Sequence, residues 1–519
     1  MNLAISLKRA LSLWPDKEAV VDGEKRLTYR QFGRRVAALA VALHGAGVTK
    51  GTAIAALLPN CLEYLELYYA AACLGAILCP VNYRLSGDEV ATILKHSQSR
   101  ALIYHADFKE LAQSARKSLT DELKLVICVG EPEYELFCGG VSDELVLPDV
   151  NAAGGDLAQI YYTSGTTGDP KGVMLSHDNV STNALGAVAE LALSSTDCWA
   201  HSAPMFHLVD AWAVFSVTWV GGKHVFTPYF NADQLLQLID SEKVTITALV
   251  PTMINAMLNS ERLERGDYAS LHTLLSAGSP IAPELVKQLE RSFSCLYYQF
   301  YGMTETSPFL TISLPHSKHL NLSEDEQRAI RSKTGRAFIA VELKVVREDG
   351  THIDKDSKEV GEIIARGANV TSGYWNNAEA TARAIRDGWI YTGDLAVMDA
   401  DGYVNIVDRS KDMIISGGEN VYSTEVEYVL YEHKAVMECA VFGIPDPKWG
   451  ELVHATIVLR AGESATSDDL DHFVRSRLAR YKVPRHWEFT DGMPKTGSGK
   501  ILKKVMREKY WQNQGRNIN

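Results

Sequence analysis

Apolar positions in the first 330 residues follow two periods that alternate along the chain. Glu18-Ala-Val-Val-Asp22 and Leu27-Thr-Tyr29 flank Gly23 and predict a strand pair. From Tyr29 to Ala46 the apolar residues, Phe32, Val36, Leu39, Val41 and Leu43 among them, predict a helix that stops near Gly47. Ala53–Leu58 reads as a buried strand and Glu63–Leu74 as a helix; Ala76–Val81, Ser86–Lys95 and Ala101–Tyr104 continue the alternation. Leu3, Leu7 and Leu11 mark one face of a short helix at the start. Strands interleaved with helices predict α/β layering with mostly parallel sheets. Residues 140–155, rich in Gly, Asp, Pro and Asn, read as a surface crossing before the alternation resumes. Beyond about residue 330 the texture changes. Val341–Val346, Glu362–Arg366 and Tyr403–Val407 are short strands separated by Gly and Asp turns, a barrel-like pattern. A boundary falls near Asp408-Arg-Ser-Lys-Asp412. After it, helices at Ser423–Tyr431 and Ser467–Leu478 alternate with strands at Val436–Phe442 and Val453–Leu459, as in a small α/β domain.

A chain of 519 residues exceeds one core and predicts roughly two to four domains. With 46% apolar and 22% charged residues it is of ordinary globular composition, and its net charge of −12 leaves no basic surplus for a nucleic-acid partner. The longest apolar run, Leu67–Val81, is too short for a bilayer span and is broken by Pro80. The N-terminal stretch lacks the layout of a secretory signal. Eight cysteines without a C-x-x-C pair, several inside apolar runs, read as reduced core thiols of a cytoplasmic protein.

One stretch carries the clearest chemistry. Between the strand-like runs Leu157–Tyr162 and Val173–Leu175 lie Thr163-Ser-Gly-Thr-Thr-Gly-Asp169 and then Pro170-Lys-Gly172. Glycines admit close approach of the backbone, free N–H groups form an anion-binding concavity, and the hydroxyls and Lys171 add donors. A polyphosphate suits such a loop; a merely solvated hairpin would have the same composition. The pattern is not a Walker A loop, since no Ser or Thr follows the lysine. In Tyr301-Gly-Met-Thr-Glu-Thr306 a carboxylate ends an apolar, aromatic run, as a hard-cation ligand or as a helix-entry residue. Trp389-Ile-Tyr-Thr-Gly-Asp394 holds a carboxylate after a glycine, either a plain Asp turn or an acceptor for two hydroxyls. Pro494-Lys-Thr-Gly-Ser-Gly-Lys-Ile501 combines Gly and Ser with two lysines near the C-terminus.

The stretch from Tyr161 to Met174 closely resembles the signature loop of the adenylate-forming superfamily: acyl-CoA synthetases, luciferases and adenylation domains. The other motifs match that family in the same order, over essentially the whole chain. The resemblance implies that Thr163, Ser164, Gly165, Thr166, Thr167, Gly168 and Lys171 close over the β- and γ-phosphates of ATP. It implies adenine contacts from Gly278 and from Tyr298 to Tyr301, an α-phosphate contact from Thr304 and Mg²⁺ held by Glu305. Asp394 matches the ribose-binding aspartate, Arg409 an arginine on ribose and phosphate, and Lys500 the lysine that meets the substrate carboxylate and α-phosphate during adenylation.

Lys411 matches the hinge position. Gly417, Gly418 and Glu419 match the loop that enters for the second half-reaction, and Trp449 and Tyr481 match positions near coenzyme A. The acyl pocket is implied to involve His207, Trp212, Ala277 and Gly302; Trp212, resembling a gate tryptophan, lies one residue further from His207 than in the version it resembles. The implied fold is α/β: a large N-terminal domain of layered sheets plus a small barrel-like subdomain (1–408), a hinge (409–412) and a small mobile C-terminal domain (413–519).

The implied function is an AMP-forming acyl-CoA synthetase using ATP, Mg²⁺ and coenzyme A. A medium- to long-chain fatty acid is the expected substrate, with a cyclic or aromatic carboxylate as the alternative. An acyl-AMP ligase that loads a carrier protein would share every ATP motif. A homodimer is expected from how common such assemblies are, and a lipid substrate is compatible with peripheral membrane contact.

Overall fold

The computed structural model describes residues 1–117, 119, 122–139, 146–148, 152–163, 170–278, 281, 283–495 and 501–511. Among these residues the strands assemble into four sheets. A six-stranded sheet runs, in spatial order, Leu125–Val129, Ala101–His105, Ala53–Leu57, Ile77–Pro80, Leu157–Thr163, Lys171–Ser176. The first five strands are parallel, and the last two form an antiparallel hairpin. Strand periodicity explains why Ala53–Leu57 is apolar throughout. Ile54 and Ala56 join a core with the helices Tyr29–Gly45 and Leu62–Leu74, whereas Ala55 and Leu57 join one with Gly87–His96 and Lys109–Arg116.

A nine-stranded sheet begins at Arg336–Ala337, passes through Phe309–Ile312, Leu296–Gly302, Thr273–Ser276, Ile246–Leu249, Cys198–His201 and Lys223–Phe226, and ends at Glu18–Asp22 and Lys25–Thr28. Ala19, Val20 and Phe226 of this sheet share the core that holds Ile54 and Ala56, so the two large sheets enclose common helices. The helix Tyr29–Gly45 starts where predicted because the Thr28 hydroxyl accepts from the Gln31 N–H and the Gln31 side chain accepts from the Thr28 N–H. Ser86 and Glu89 repeat that box at Gly87–His96.

The third sheet is antiparallel: Val341–Val346, Gly361–Gly367 and Trp389–Met398, with Ile385–Arg386 and Val404–Arg409 on the last of these. Gly393 and Asp394, open to reading as a turn, lie inside its ten-residue strand. Gly393 takes φ +72° within the ladder, so a pair of turn-forming residues serves here to bend a strand. The fourth sheet contains Glu419–Val421, Ile414–Ser416, Gly450–Leu459, Val436–Asp446 and His486–Phe489. The predicted helix Ser423–Tyr431 has those bounds, and Ser467–Arg475 ends three residues before the predicted limit. The cysteines are free thiols, and all but Cys138 are buried. No helix among the described residues is long and apolar enough to cross a membrane.

His177 opens the helix His177–Glu190 fully buried. Burial lowers its pKa from 6.5 to about 4, Asp156 and Asp178 opposing and the amino terminus and Lys50 reinforcing. His454 is likewise held at about 4 by burial and by His486. The unfolded chain binds more protons between these values, so stability rises with pH across that window and is lost on acidification. Each histidine is expected to remove about 2 kcal/mol by about pH 5. In His177→Gln the fall in urea midpoint from about pH 7 to about pH 5 should be smaller than in the parent; an equal fall would refute this.

Candidate active site

The hairpin Leu157–Thr163/Lys171–Ser176 sets Thr163 directly opposite Lys171. Ser164, Gly165, Thr166, Thr167 and Gly168 at its tip lie outside the described residues, as does Lys500. A short segment, Thr371-Ser-Gly-Tyr-Trp375, straps the hairpin. The Trp375 N–H donates to the Gly172 carbonyl (2.7 Å), the Met174 N–H donates to the Gly373 carbonyl (3.1 Å), and the Thr371 hydroxyl donates to the Met174 carbonyl. Lys171 Nζ sits 5.5 Å from the centre of the Tyr374 ring.

Glu305 lies in a short 3₁₀ turn, Thr304–Thr306, just beyond the strand Leu296–Gly302. It is only 7% exposed. Its Oε1 accepts from the Tyr374 hydroxyl at 2.8 Å, and its carbonyl accepts from the Thr371 N–H at 2.7 Å. Burial pushes its pKa up, while Tyr374, Lys171 and Arg409 oppose the shift. The described residues contain no cluster of three or more His, Cys, Asp or Glu able to hold a metal ion. One buried carboxylate fits Mg²⁺, which takes one or two carboxylates and completes its shell with phosphate and water.

Asp394, 6% exposed, is the second buried carboxylate. Its Oδ2 accepts from the Tyr301 hydroxyl at 2.7 Å, and its Oδ1 lies 3.2 Å from Arg409 Nε. Asp394 and Arg409 are cross-strand partners in the antiparallel ladder, which aligns the two side chains. The Arg409 side chain remains 52% exposed. Gly278 takes φ +89° just beyond the strand Thr273–Ser276, whose Leu275 pairs with Tyr298 on the next parallel strand. Ala277, Gly278, Thr304 and Glu305 thus follow the carboxyl ends of adjacent parallel strands, where α/β sheets bind ligands.

The acyl-side residues divide. His207 is partly buried at the head of the short helix Leu208–Ala211, its ring 4.5 Å from that of Phe206. Trp212 is enclosed by Trp199 (4.9 Å), Phe309 (5.0 Å) and Phe300 (6.3 Å), and its indole N–H donates to the Val209 carbonyl. Ala277 belongs to the same cluster. Gly302 is fixed by packing: a Cβ there would stand 1.7 Å from the Pro308 carbonyl oxygen. A wholly buried chain of polar groups lies close by. Asp210 accepts from Trp199 Nε1 (3.1 Å) and pairs with His201 Nδ1 (2.5 Å), and His201 Nε2 meets His224 Nδ1 at 2.9 Å.

The Lys411 carbonyl accepts from Arg507 at 3.0 Å, joining the chain beside the sequence boundary to the helix Lys503–Trp511. Burial and Arg409 lower the Lys411 pKa. Asp408 accepts from the Ser423 N–H (2.5 Å), and Lys503 reaches both the Ser423 hydroxyl and Glu427, each at 2.8 Å. The residues matched to coenzyme A come together. The Gly417 N–H donates to the Trp449 carbonyl at 2.8 Å, and Gly417, at φ +63°, lies under the indole, where a Cβ would come within 2.6 Å of the ring. Gly418 and Glu419 continue into a strand against which the turn Arg480–Lys482, bearing the partly exposed Tyr481, packs. Arg485 lies 4.2 Å from the Trp449 ring centre.

Sequence reading missed Tyr374, the strap around it and the Asp210–His201–His224 chain. Tyr374 sits in a Gly-Tyr-Trp run that looks like packing, and isolated histidines give no signal of mutual contact. The pairs Tyr301–Asp394 and Tyr374–Glu305 span 93 and 69 residues, beyond any local pattern.

Comparison with known proteins shows the family. Residues 7–375 match the model of the AMP-binding enzyme family, and residues 425–500 match the AMP-binding enzyme C-terminal domain. The chain belongs to the AMP-binding enzyme family, within the adenylate-forming superfamily of AMP-forming CoA ligases. It is 37% identical to a feruloyl-CoA synthase from Amycolatopsis sp, over 97% of this chain and 98% of the relative. It is also 37% identical to a long-chain-fatty-acid–CoA ligase of Thermus thermophilus, over 98% of this chain and 96% of that one. The crystal structure of ATP-bound MatB from Rhodopseudomonas palustris superposes with a TM-score of 0.88 at 27% identity, covering 99% of this chain and 100% of that one.

Removing Lys503 leaves Glu427 buried without its cation, and burial already raises the Glu427 pKa. Lys503→Ala is expected to cost about 3 kcal/mol, read as a lower urea midpoint; an unchanged midpoint would show the pair to be energetically neutral.

Proposed function

We propose that this chain is an AMP-forming acid–CoA ligase acting on a medium- to long-chain fatty acid. The observation that carries the reading is the pair of buried, tyrosine-capped carboxylates, Glu305 and Asp394, beside the strapped signature hairpin. A carboxylate already held on one oxygen and facing a half-exposed arginine suits a ribose diol. A lysine and a run of hydroxyl and glycine residues suit the triphosphate.

In the first step a carboxylate oxygen of the acid attacks the α-phosphorus of ATP, the bond to pyrophosphate breaks, and acyl-AMP forms. Side chains have little covalent work to do, so position and charge carry the catalysis. Thr163, the Ser164–Gly168 loop and Lys171 hold the β- and γ-phosphates. Gly278, Tyr298 and Tyr301 form the adenine end of the site. Thr304 contacts the α-phosphate, Asp394 and Arg409 the ribose, and Lys500 offsets charge on the α-phosphoryl oxygens. Glu305 would hold Mg²⁺, which supplies charge neutralisation on the phosphates. In the second step the sulfur of coenzyme A attacks the acyl carbonyl, giving the thioester and releasing AMP as the thiol proton is lost. Residues 413–519 turn about 409–412, Lys411 at the centre, and the face bearing Gly417, Gly418, Glu419, Trp449 and Tyr481 receives coenzyme A.

His207, Ala277 and Gly302 line the acid side of the site. A fatty acid is favoured by the long-chain ligase relative. A second reading, an aromatic or cyclic acid, is favoured by the feruloyl-CoA synthase relative.

The test is AMP release from ATP, Mg²⁺ and coenzyme A across fatty, cyclic and aromatic acids. Coenzyme A-dependent AMP and thioester with fatty acids, absent in Lys500→Ala, is the expected result. Turnover confined to aromatic acids would establish the second reading, and pyrophosphate release without need of coenzyme A would indicate a carrier-protein ligase. In Asp394→Asn the KM for ATP should rise about tenfold or more, the scale of a lost charge-assisted hydrogen bond.

A further inference from the structure

Tyr374 has no part in the steps above, yet it touches both halves of the phosphate site. Its hydroxyl donates to Glu305 Oε1 at 2.8 Å, and its ring lies beneath Lys171 Nζ, 5.5 Å from the centroid. Its backbone is fixed from two directions: it bridges to Val173 on the signature hairpin, and its N–H donates to the Thr381 hydroxyl at 3.0 Å. The adjoining Trp375 N–H is bonded to Gly172, and the Thr371 N–H is bonded to the Glu305 carbonyl. The strap therefore grips Glu305 at both backbone and side chain while it is also an added strand segment of the hairpin.

We infer that Tyr374 is a positioning residue for the Glu305 carboxylate, and that the Thr371–Trp375 strap sets the spacing between that carboxylate and Lys171 on the hairpin. This rests on the proposed roles of Glu305 and the hairpin. A carboxylate has two oxygens and a freely turning end group. With one oxygen committed to a phenol whose backbone is pinned, the other is held in one direction for a cation. Residues standing behind a metal ligand in this way typically change metal affinity by about 10- to 100-fold when removed.

Tyr374→Phe separates this role from packing, because the ring, the Lys171 contact and the strap's backbone bonds are retained. ATP binding to the purified full chain is measured calorimetrically in EDTA and across a Mg²⁺ titration, with the melting temperature as a check on folding. The Mg²⁺ concentration giving half-maximal tight ATP binding should rise about tenfold, while binding in EDTA changes less than about twofold. In a Glu305→Gln background the same substitution should leave the Mg²⁺ response unchanged within about twofold. A Mg²⁺ curve superimposable on the parent's, or an equal shift in the Glu305→Gln background, overturns the inference. Parent protein that binds ATP and makes thioester while Tyr374→Phe keeps the parent's Mg²⁺ response defeats the inference alone. Parent protein that binds no ATP with or without Mg²⁺ defeats the proposed function and this inference with it.

Discussion

An ionised carboxylate removed from water costs several kcal/mol unless donors or cations surround it, and this chain buries such groups where its sheets meet. Asp394 belongs to the antiparallel sheet that follows the two large ones, yet its donor, Tyr301, stands on the nine-stranded sheet. Glu305 leaves the nine-stranded sheet, and its donor, Tyr374, is bonded to the six-stranded one. Each acid is satisfied only when two layers are in register. The polar requirement of single side chains thus fixes the mutual placement of three sheets.

The same logic extends past residue 408. Asp408 accepts from Ser423, Lys503 reaches Ser423 and Glu427, and Arg507 holds the carbonyl of Lys411. The helix Lys503–Trp511 is therefore bonded to the chain it follows by almost a hundred residues. The rotation about Lys411 proposed above would either carry this helix along or exchange the Arg507 contact. Beyond Lys411, Ile414, Val426, Val441, Val453 and Leu470 share one apolar core.

Much of this was legible in the sequence because period and polarity change together. The run Ala53–Leu57 is apolar on both faces and therefore central; Ser86 and Glu89 announce a helix start before a moderately apolar stretch. Glu305 and Asp394 stand out as lone carboxylates after apolar runs. What the sequence hid are relations across distance and conformations that defy local habit. Gly393-Asp394 has the composition of a turn and lies within a strand, because tertiary pairing overrides propensity. Tyr301 and Tyr374 look like core aromatics, and only the fold shows that their hydroxyls are the donors the buried acids need.

On the proposed reading of the acid site, the tight approach at Gly302 has a bearing on how acid preference drifts and can be redirected. An added Cβ would meet the Pro308 carbonyl, a backbone atom that no rotamer change can move. Bulk cannot be introduced at Gly302 by substitution, either in divergence between relatives or in laboratory redesign. On the proposed placement of Gly302 beside the acid, changes in the size of the accepted acid would come through positions that already carry a side chain, such as Ala277 and the residues after His207. Two enzymes of this kind that differ in substrate would thus share the glycine and diverge around it.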